Sequence, residues 1–356
     1  MSVFYRNLYA KRRATHPFRW WVKKRADDFK PELTKENQKF IDDYYQSSYG
    51  SPLIVPDLFK EAQKEWTPES RRVGVIARKI GVYPLWMKDG TRILTTLLQV
   101  NDNHVIKCYT SEQFKDQVIH QDRWRYQGLA CAIIGAESDH IMKYSAGYAG
   151  LFNEAGLPPK KKITKVPITD DAILPPGTPL LATHFRPGDY VDVWGKTVDH
   201  GFQGVVKRWD FAGGHPINTT KWKRRPGSIG HGRRAGGPHK GKKMPGHMGS
   251  ERRTLNGVQI MRINTRWNVI YIRGPSVPGE IGNWCYIFDS KILGKKLTEK
   301  NPPPFPTNFL EGTKDLPENL YHPDVHPFEE ETIKFIETEE EKRQARTGAK
   351  IAKIRK

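Results

Sequence analysis

The chain has 356 residues, 59 Lys and Arg against 39 Asp and Glu, a net charge of +20, and only 37% apolar residues. Its longest apolar run, Leu129 to Ala136, falls far short of the roughly 20 residues that a spanning helix needs, which excludes a polytopic membrane protein. The charge excess argues against an ordinary globular enzyme and for a polyanionic partner, and the length allows about two domains, or one with long appendages.

Residues 1–26 hold eight Lys and Arg and no acid, interspersed with Phe4, Tyr5, Leu8, Phe18, Trp20 and Trp21. This is the profile of a mitochondrial targeting peptide; the rival reading is a basic arm that binds nucleic acid directly. Residues 27–70 read as a helical N-terminal extension. Thr34 can cap a helix over 34–46, where Phe40, Ile41, Tyr44 and Tyr45 recur at helical spacing, and a second short helix fits Asp57 to Trp66.

Strand signals begin at Arg72, with Val73, Val75 and Ala77 alternating up to Gly81. Asp89-Gly90 is a turn before a β-rich run from Ile93 to Val100, and Asn101 to Asn103 turns the chain into a return strand, His104 to Tyr109. Leu129 to Ile134 is a further strand. Residues 145–156 fit a short helix ended by Gly156, inserted between strands. Val191, Val193 and Phe202 to Val206 return to strand character. Val258 to Ile263 and Val269 to Ile272 form a hairpin, and Trp284 to Phe288 closes the series. Such a succession of short strands predicts a small β-barrel or sandwich.

Residues 207–253 differ from everything around them. They contain ten Gly, four Pro, no Leu and no Val, and thirteen Lys and Arg against Asp210 and Glu251. Such a segment cannot bury enough apolar area to offset its ordering entropy, and it is too long for an ordinary connection. Its cations are Lys207, Arg208, Lys221, Lys223, Arg224, Arg225, Arg233, Arg234, Lys240, Lys242, Lys243, Arg252 and Arg253. Trp209, Trp222, His215, His231, His239 and His247 add flat faces for stacking on unpaired bases. Glycines between them let the backbone approach a ligand closely. The combination predicts an extended arm that orders within folded RNA, with salt-sensitive affinity.

Catalytic look-alikes fail on spacing. Gly236 to Lys243 resembles a phosphate-binding loop, but Lys243 stands where Ser or Thr would hold Mg²⁺, and no apolar strand precedes it. Gly230-x-Gly232 followed by Ala235 lacks the strand a dinucleotide fingerprint needs. His231, His239 and His247, eight residues apart, share no helical face for a metal. Cys108, Cys131 and Cys285 form no C-x-x-C and read as free thiols in a reducing compartment. No carboxylate pair or Ser/His/Asp set stands out. Beyond the last strand, residues 299–342 hold twelve acids against four bases, and 343–356 hold six bases and no acid.

Several blocks in order resemble the L-three family of large-subunit ribosomal proteins, its mitochondrial branch in particular. These are Gly201-Phe202-Gln203-Gly204-Val205-Val206-Lys207-Arg208-Trp209, then Arg225-Pro226-Gly227-Ser228-Ile229-Gly230, then the stretch from Lys240 to Gly249. Arg273-Gly274 and Val277-Pro278-Gly279 follow, and the likeness covers roughly residues 72–295. The resemblance implies a mainly β fold, a six-stranded translation-protein-type β-barrel with an inserted α/β segment and a long basic extension loop that reaches through RNA toward the peptidyl-transferase region. It places an L-three-type barrel domain at 71–298, its RNA-threading extension at 207–253, and a Pro-rich, acidic then basic tail at 299–356. It carries RNA contact onto Trp209, Arg224, Arg225, Ser228, His231, Lys240, Lys242, Lys243 and His247. Ahead of Gly201, Asp199 departs from the usual Gly, which weakens phosphate contact there. His247 replaces a Gln that is methylated in bacterial members, so that modification is not expected.

The implied role is a structural constituent of the mitochondrial large ribosomal subunit in the matrix, without catalysis, cofactor, metal, membrane or small-molecule substrate. Its partners are large-subunit mitochondrial rRNA and neighbouring ribosomal proteins. The expected RNA-binding set is Lys207, Arg208, Trp209, Trp222, Arg224, Arg225, Ser228, His231, Arg233, Arg234, Lys240, Lys242, Lys243, His247, Arg252 and Arg253. The alternatives are an RNA-processing or RNA-modifying enzyme that uses the basic loop as a substrate clamp, and a cytosolic or nuclear chaperone-like binder.

Overall fold

The computed structural model describes residues 65–117, 128–139, 143–214, 223–230, 237–299, 301–308 and 316–328, with isolated positions in 34–43 and at 339 and 343. The targeting expectation for residues 1–26 and the helix expected at 57–64 lie outside them. Glu65 and Trp66 are not helical, whereas the described positions 36, 37, 39, 40 and 43 are. The Asn37 amide lies 3.4 Å from Thr34 Oγ1, the cap read from the sequence.

Val75 to Trp86 form β1, and Asp89-Gly90 turns the chain into β2, Arg92 to Gln99. β3 (Asn103–Tyr109) is followed by helix α1 (Ser111–Gln117), which the sequence reading passed over, and then by β4 (Ala130–Ser138). The inserted helix is one α turn, α2 (Ala146–Ala149), continued as a 3-10 turn over Gly150–Ala155 that ends at Gly156 in the left-handed region. β5 (Lys160–Ile168) and the two-residue β6 (Pro179–Leu180) follow, then β7 (Tyr190–Lys196) and β8 (Gly201–Gln203). After helix α3 (Val205–Trp209) come β9 (Gly246–Met248), β10 (Arg252–Asn264), β11 (Val269–Arg273), β12 (Trp284–Asp289) and β13 (Asn319–Tyr321).

Six strands close on themselves in the order β11-β2-β1-β12-β7-β10, with β10 pairing back onto β11 and every pairing antiparallel. Closure leaves no unpaired edge within the ring. β10 achieves it by length: its first half pairs with β7, a bulge between Leu255 and Val258 bends it, and its second half pairs with β11 and β13. The inward residues Val75, Leu98, Val191, Val193, Ile260, Ile263, Ile270, Ile272 and Ile287 form the interior, and Ile76, next to Val75, is buried on the opposite face. Each such buried aliphatic side chain contributes about 1.5–3 kcal/mol.

β5, β4, β3 and β6 make a second sheet against the ring. β4 is buried on both faces. Ala130, Ala132 and Ile134 join the ring core, while Ile133 meets Phe152 and Leu157 of the inserted helical turn. That explains its small and aliphatic composition. β5 was not singled out from sequence because it opens on three lysines. Lys160 is nonetheless fully buried, its ammonium donating to Asp102 O (3.0 Å) and Ser138 Oγ (2.7 Å) beside His104 Nδ1 (3.0 Å).

The strand expected over Phe202–Val206 is corrected. Gly201 to Gln203 pair as strand, but Gly204 stands in extended conformation as an N-cap and Val205 opens a helical turn. The buried Val205 side chain anchors that turn while Lys207, Arg208 and Trp209 leave the ring. The structure also shows where part of the tail goes. Its Pro-rich start and residues 316–328 pack onto the body: Arg186 holds Asn301 and Pro302, His184 Nδ1 lies 2.9 Å from Thr307 Oγ1, and Val325 is buried with Leu85 and Met261. Arg72, with its side chain 0% exposed, grips Asp289 through Nε (2.9 Å) and Nη2 (2.6 Å), and also donates to the His184 and Pro304 carbonyls.

Candidate nucleic-acid interface

The basic extension leaves and re-enters the ring through a two-stranded neck. β8 and β9 pair Gly201 with Met248, Phe202 with His247 and Gln203 with Gly246. The chain turns out of the neck at Gly249, where φ is +94° and an added Cβ would lie 1.9 Å from the Val198 carbonyl oxygen. Only glycine fits there. Thr197 then exchanges backbone bonds with Ser250 (3.2 Å) and Glu251 (2.9 Å), which leads into β10.

The two limbs are clamped just beyond the neck. α3 ends at Asp210, which sits in the left-handed region. Arg208 Nη1 and Trp209 Nε1 both donate to the Met244 carbonyl, each at 2.8 Å. The Arg208 guanidinium lies 5.0 Å and the Lys243 ammonium 5.6 Å from the Trp209 ring centre, within cation–π range. The indole therefore gathers cations from both limbs. Further out, Gly213 (φ +74°) lets the backbones touch, its would-be Cβ 2.4 Å from Lys223 O, with the Gly214 amide bonded to that same oxygen at 3.0 Å.

None of the described residues in 207–253 is buried. Lys207, Arg224, Arg225, Ser228, Lys240, Lys242 and Lys243 are exposed; Ser228 Oγ donates to Gly230 O (3.1 Å), and the Lys242 amide donates to His239 O (3.2 Å) in a turn at Gly241. Trp222, His231, Arg233 and Arg234 lie outside the described residues. Arg252 and Arg253 belong to β10 rather than to the free loop. Arg252 lies 4.2 Å from the Trp194 ring, itself stacked on Tyr286, and Arg253 Nη2 donates to Glu251 (2.8 Å).

At the neck a cleft of about 580 Å³ brings together Arg208, Trp209, His247 and Arg253 with the ring loop at Pro275 to Val277 and Gly279. The two departures noted in the sequence meet here. Asp199 Oδ1 accepts the Gly201 amide (2.8 Å) and faces His247 Nε2 at 3.2 Å, so its carboxylate is directed at His247. Sequence reasoning missed Phe202 as a surface feature. It is 76% exposed and stands opposite His247 on the ribbon, but in sequence it is one more apolar strand residue.

Among the described residues, no cluster of His, Cys, Asp and Glu could hold a metal, and no helix is long and apolar enough to cross a membrane. All three cysteines are free; burial pushes Cys108 and Cys285 up to about 11 and raises Cys131, so they are thiols, not thiolates, near neutral pH.

Residues 152–270 match the family model described as Ribosomal protein L3. Over 261 residues the sequence is 35% identical to the large ribosomal subunit protein uL3m of Arabidopsis thaliana, a match that covers 72% of this chain and 75% of the relative.

Proposed function

The chain belongs to the ribosomal protein L3 family, and from that premise we propose that the extension 207–253 is the element that holds large-subunit rRNA. The protein is a structural, non-enzymatic component of the large subunit of the mitochondrial ribosome, in the matrix, with rRNA and other ribosomal proteins as partners. The six-stranded ring is the translation-protein-type barrel, a domain of residues 71–298, and its task is to fix the neck. Residues 1–26 serve as the targeting peptide, 27–70 form a helical extension, and 299–356 are a tail whose first part braces the barrel.

The observation that carries this reading is the absence of any buried residue among those described in 207–253. A polypeptide with no interior of its own takes shape from its partner. Exposed Arg224, Arg225, Lys240, Lys242 and Lys243 neutralise phosphates, Ser228 and His247 offer hydrogen bonds, and the Arg208–Trp209–Lys243 group presents two cations around one ring. Lys207, Trp222, His231, Arg233, Arg234, Arg252 and Arg253 complete the contact set. Such an arm supports subunit assembly and the architecture near the peptidyl-transferase region.

The test is the full-length variant Lys240→Ala/Lys242→Ala/Lys243→Ala. Its barrel should unfold at the parental midpoint. The slope of log affinity for transcribed large-subunit rRNA against log salt should flatten by about 2–3, from roughly 0.7–0.9 per phosphate contact, and subunit incorporation should fall. Parental slope and parental incorporation would overturn the role given to the arm.

A further inference from the structure

β7 and β12 lie side by side and antiparallel, so their ends mark the two ends of the ring. One end, with Gly195 beside Cys285, faces the neck; the other, with Val191 beside Asp289, lies beneath a second cleft of about 300 Å³. Its walls include Trp66, Phe288, Arg71, Lys291 and Lys296. Asp289, which also lines it, is already engaged by the buried Arg72, leaving Glu69 as its other carboxylate. Neither Lys291 nor Lys296 forms an ion pair among the described residues. Desolvation, and then the charge of Arg71, hold the Lys291 ammonium below its ordinary range, with Asp192 acting the other way. The Trp66 indole N–H is buried and has no acceptor among the described residues. The site therefore holds crowded positive charge beside two aromatic residues.

We propose that this cleft receives one phosphate-bearing nucleotide of the large-subunit RNA, so that the barrel grips RNA at both ends. Lys291 and Lys296 meet the phosphates, and the Trp66 and Phe288 walls hold the base. A cleft near 300 Å³ is at the small end of ligand sites, the scale of a single nucleotide. An acidic peptide would satisfy the lysines but would leave the aromatic walls without a flat partner. The proposal rests on the RNA-binding reading above and extends it to a surface remote from the arm.

The experiment compares full-length Lys291→Ala/Lys296→Ala, Trp66→Ala and the Lys240/Lys242/Lys243 triple variant in binding to transcribed large-subunit rRNA across salt. The double variant should flatten the log–log slope by about 1–2, in the parental and in the triple background alike. Trp66→Ala should weaken binding about ten-fold, and should do so even at high salt, where stacking survives screening. Parental slope in the double variant overturns the proposal while leaving the arm's role intact. A lowered unfolding midpoint in the double variant, with parental RNA binding, also overturns it and makes the two lysines structural. Parental protein without salt-sensitive RNA binding would instead overturn the reading beneath it.

Discussion

The ring and the extension are built on opposite terms. In the ring every strand has two neighbours and the interior is Val, Ile and Leu. In the extension no described residue is buried, and order comes from a shared carbonyl at Met244, a cation-flanked indole and glycines that let backbones touch. The difference teaches that stability and binding are separable here. On the function proposed above, a change in the ring's interior should be felt as unfolding, and a change in the arm as lost affinity.

The largest expected effect breaks the ring. Asp289→Ala leaves the fully buried Arg72 guanidinium without its carboxylate, and stability should fall by about 3–5 kcal/mol in urea unfolding. A loss under about 1 kcal/mol would mean the pair does not hold the start of β1 to β12. Next, Trp209→Ala should lower RNA affinity by about 1–3 kcal/mol, measured by titration, while the barrel's unfolding midpoint stays put. A matching loss of barrel stability would show that the arm and the barrel are not independent.

A further test of the body uses pH. Burial, with the Arg72 charge second, pushes His184 down to about 3; burial, with Lys160 second, pushes His104 down to about 4. Both titrate near 6.5 when unfolded. Below that value the unfolded chain binds protons that the folded chain refuses. The stability these groups contribute is complete above about pH 6.5 and drains away as pH falls through 4 toward 3. Unfolding midpoints across this window check it, and His104→Gln should flatten the upper part of the profile.

Much of the ring was legible in the sequence because turn chemistry and alternation are local. Asp89-Gly90 and the Asn264–Asn268 turn bracket the observed β1–β2 and β10–β11 hairpins. β5 was not legible, since a lysine-opened strand looks like a surface and only tertiary contact reveals that Lys160 is inside. Val205-Val206 read as strand because β-branched residues favour it, until Gly204 and the buried Val205 turned the chain. The tail was read by its net charge, which hides the apolar contacts of Val325 and the pairing of Asn319 to Tyr321 with β10. The arm was legible as composition: glycine, cations and aromatics without aliphatics need no alignment to be read. Its clamp was not, because a main-chain oxygen at Met244 leaves no mark in side-chain spacing.

Ring closure has a consequence for biogenesis. β1 pairs with β12, and Arg72 with Asp289 across 217 residues of chain. The first strand therefore emerges with one flank bare and stays so until nearly the whole polypeptide has been synthesised and delivered. During that interval it is a half-paired hairpin beside a highly cationic loop, with an open strand edge that other chains can pair with.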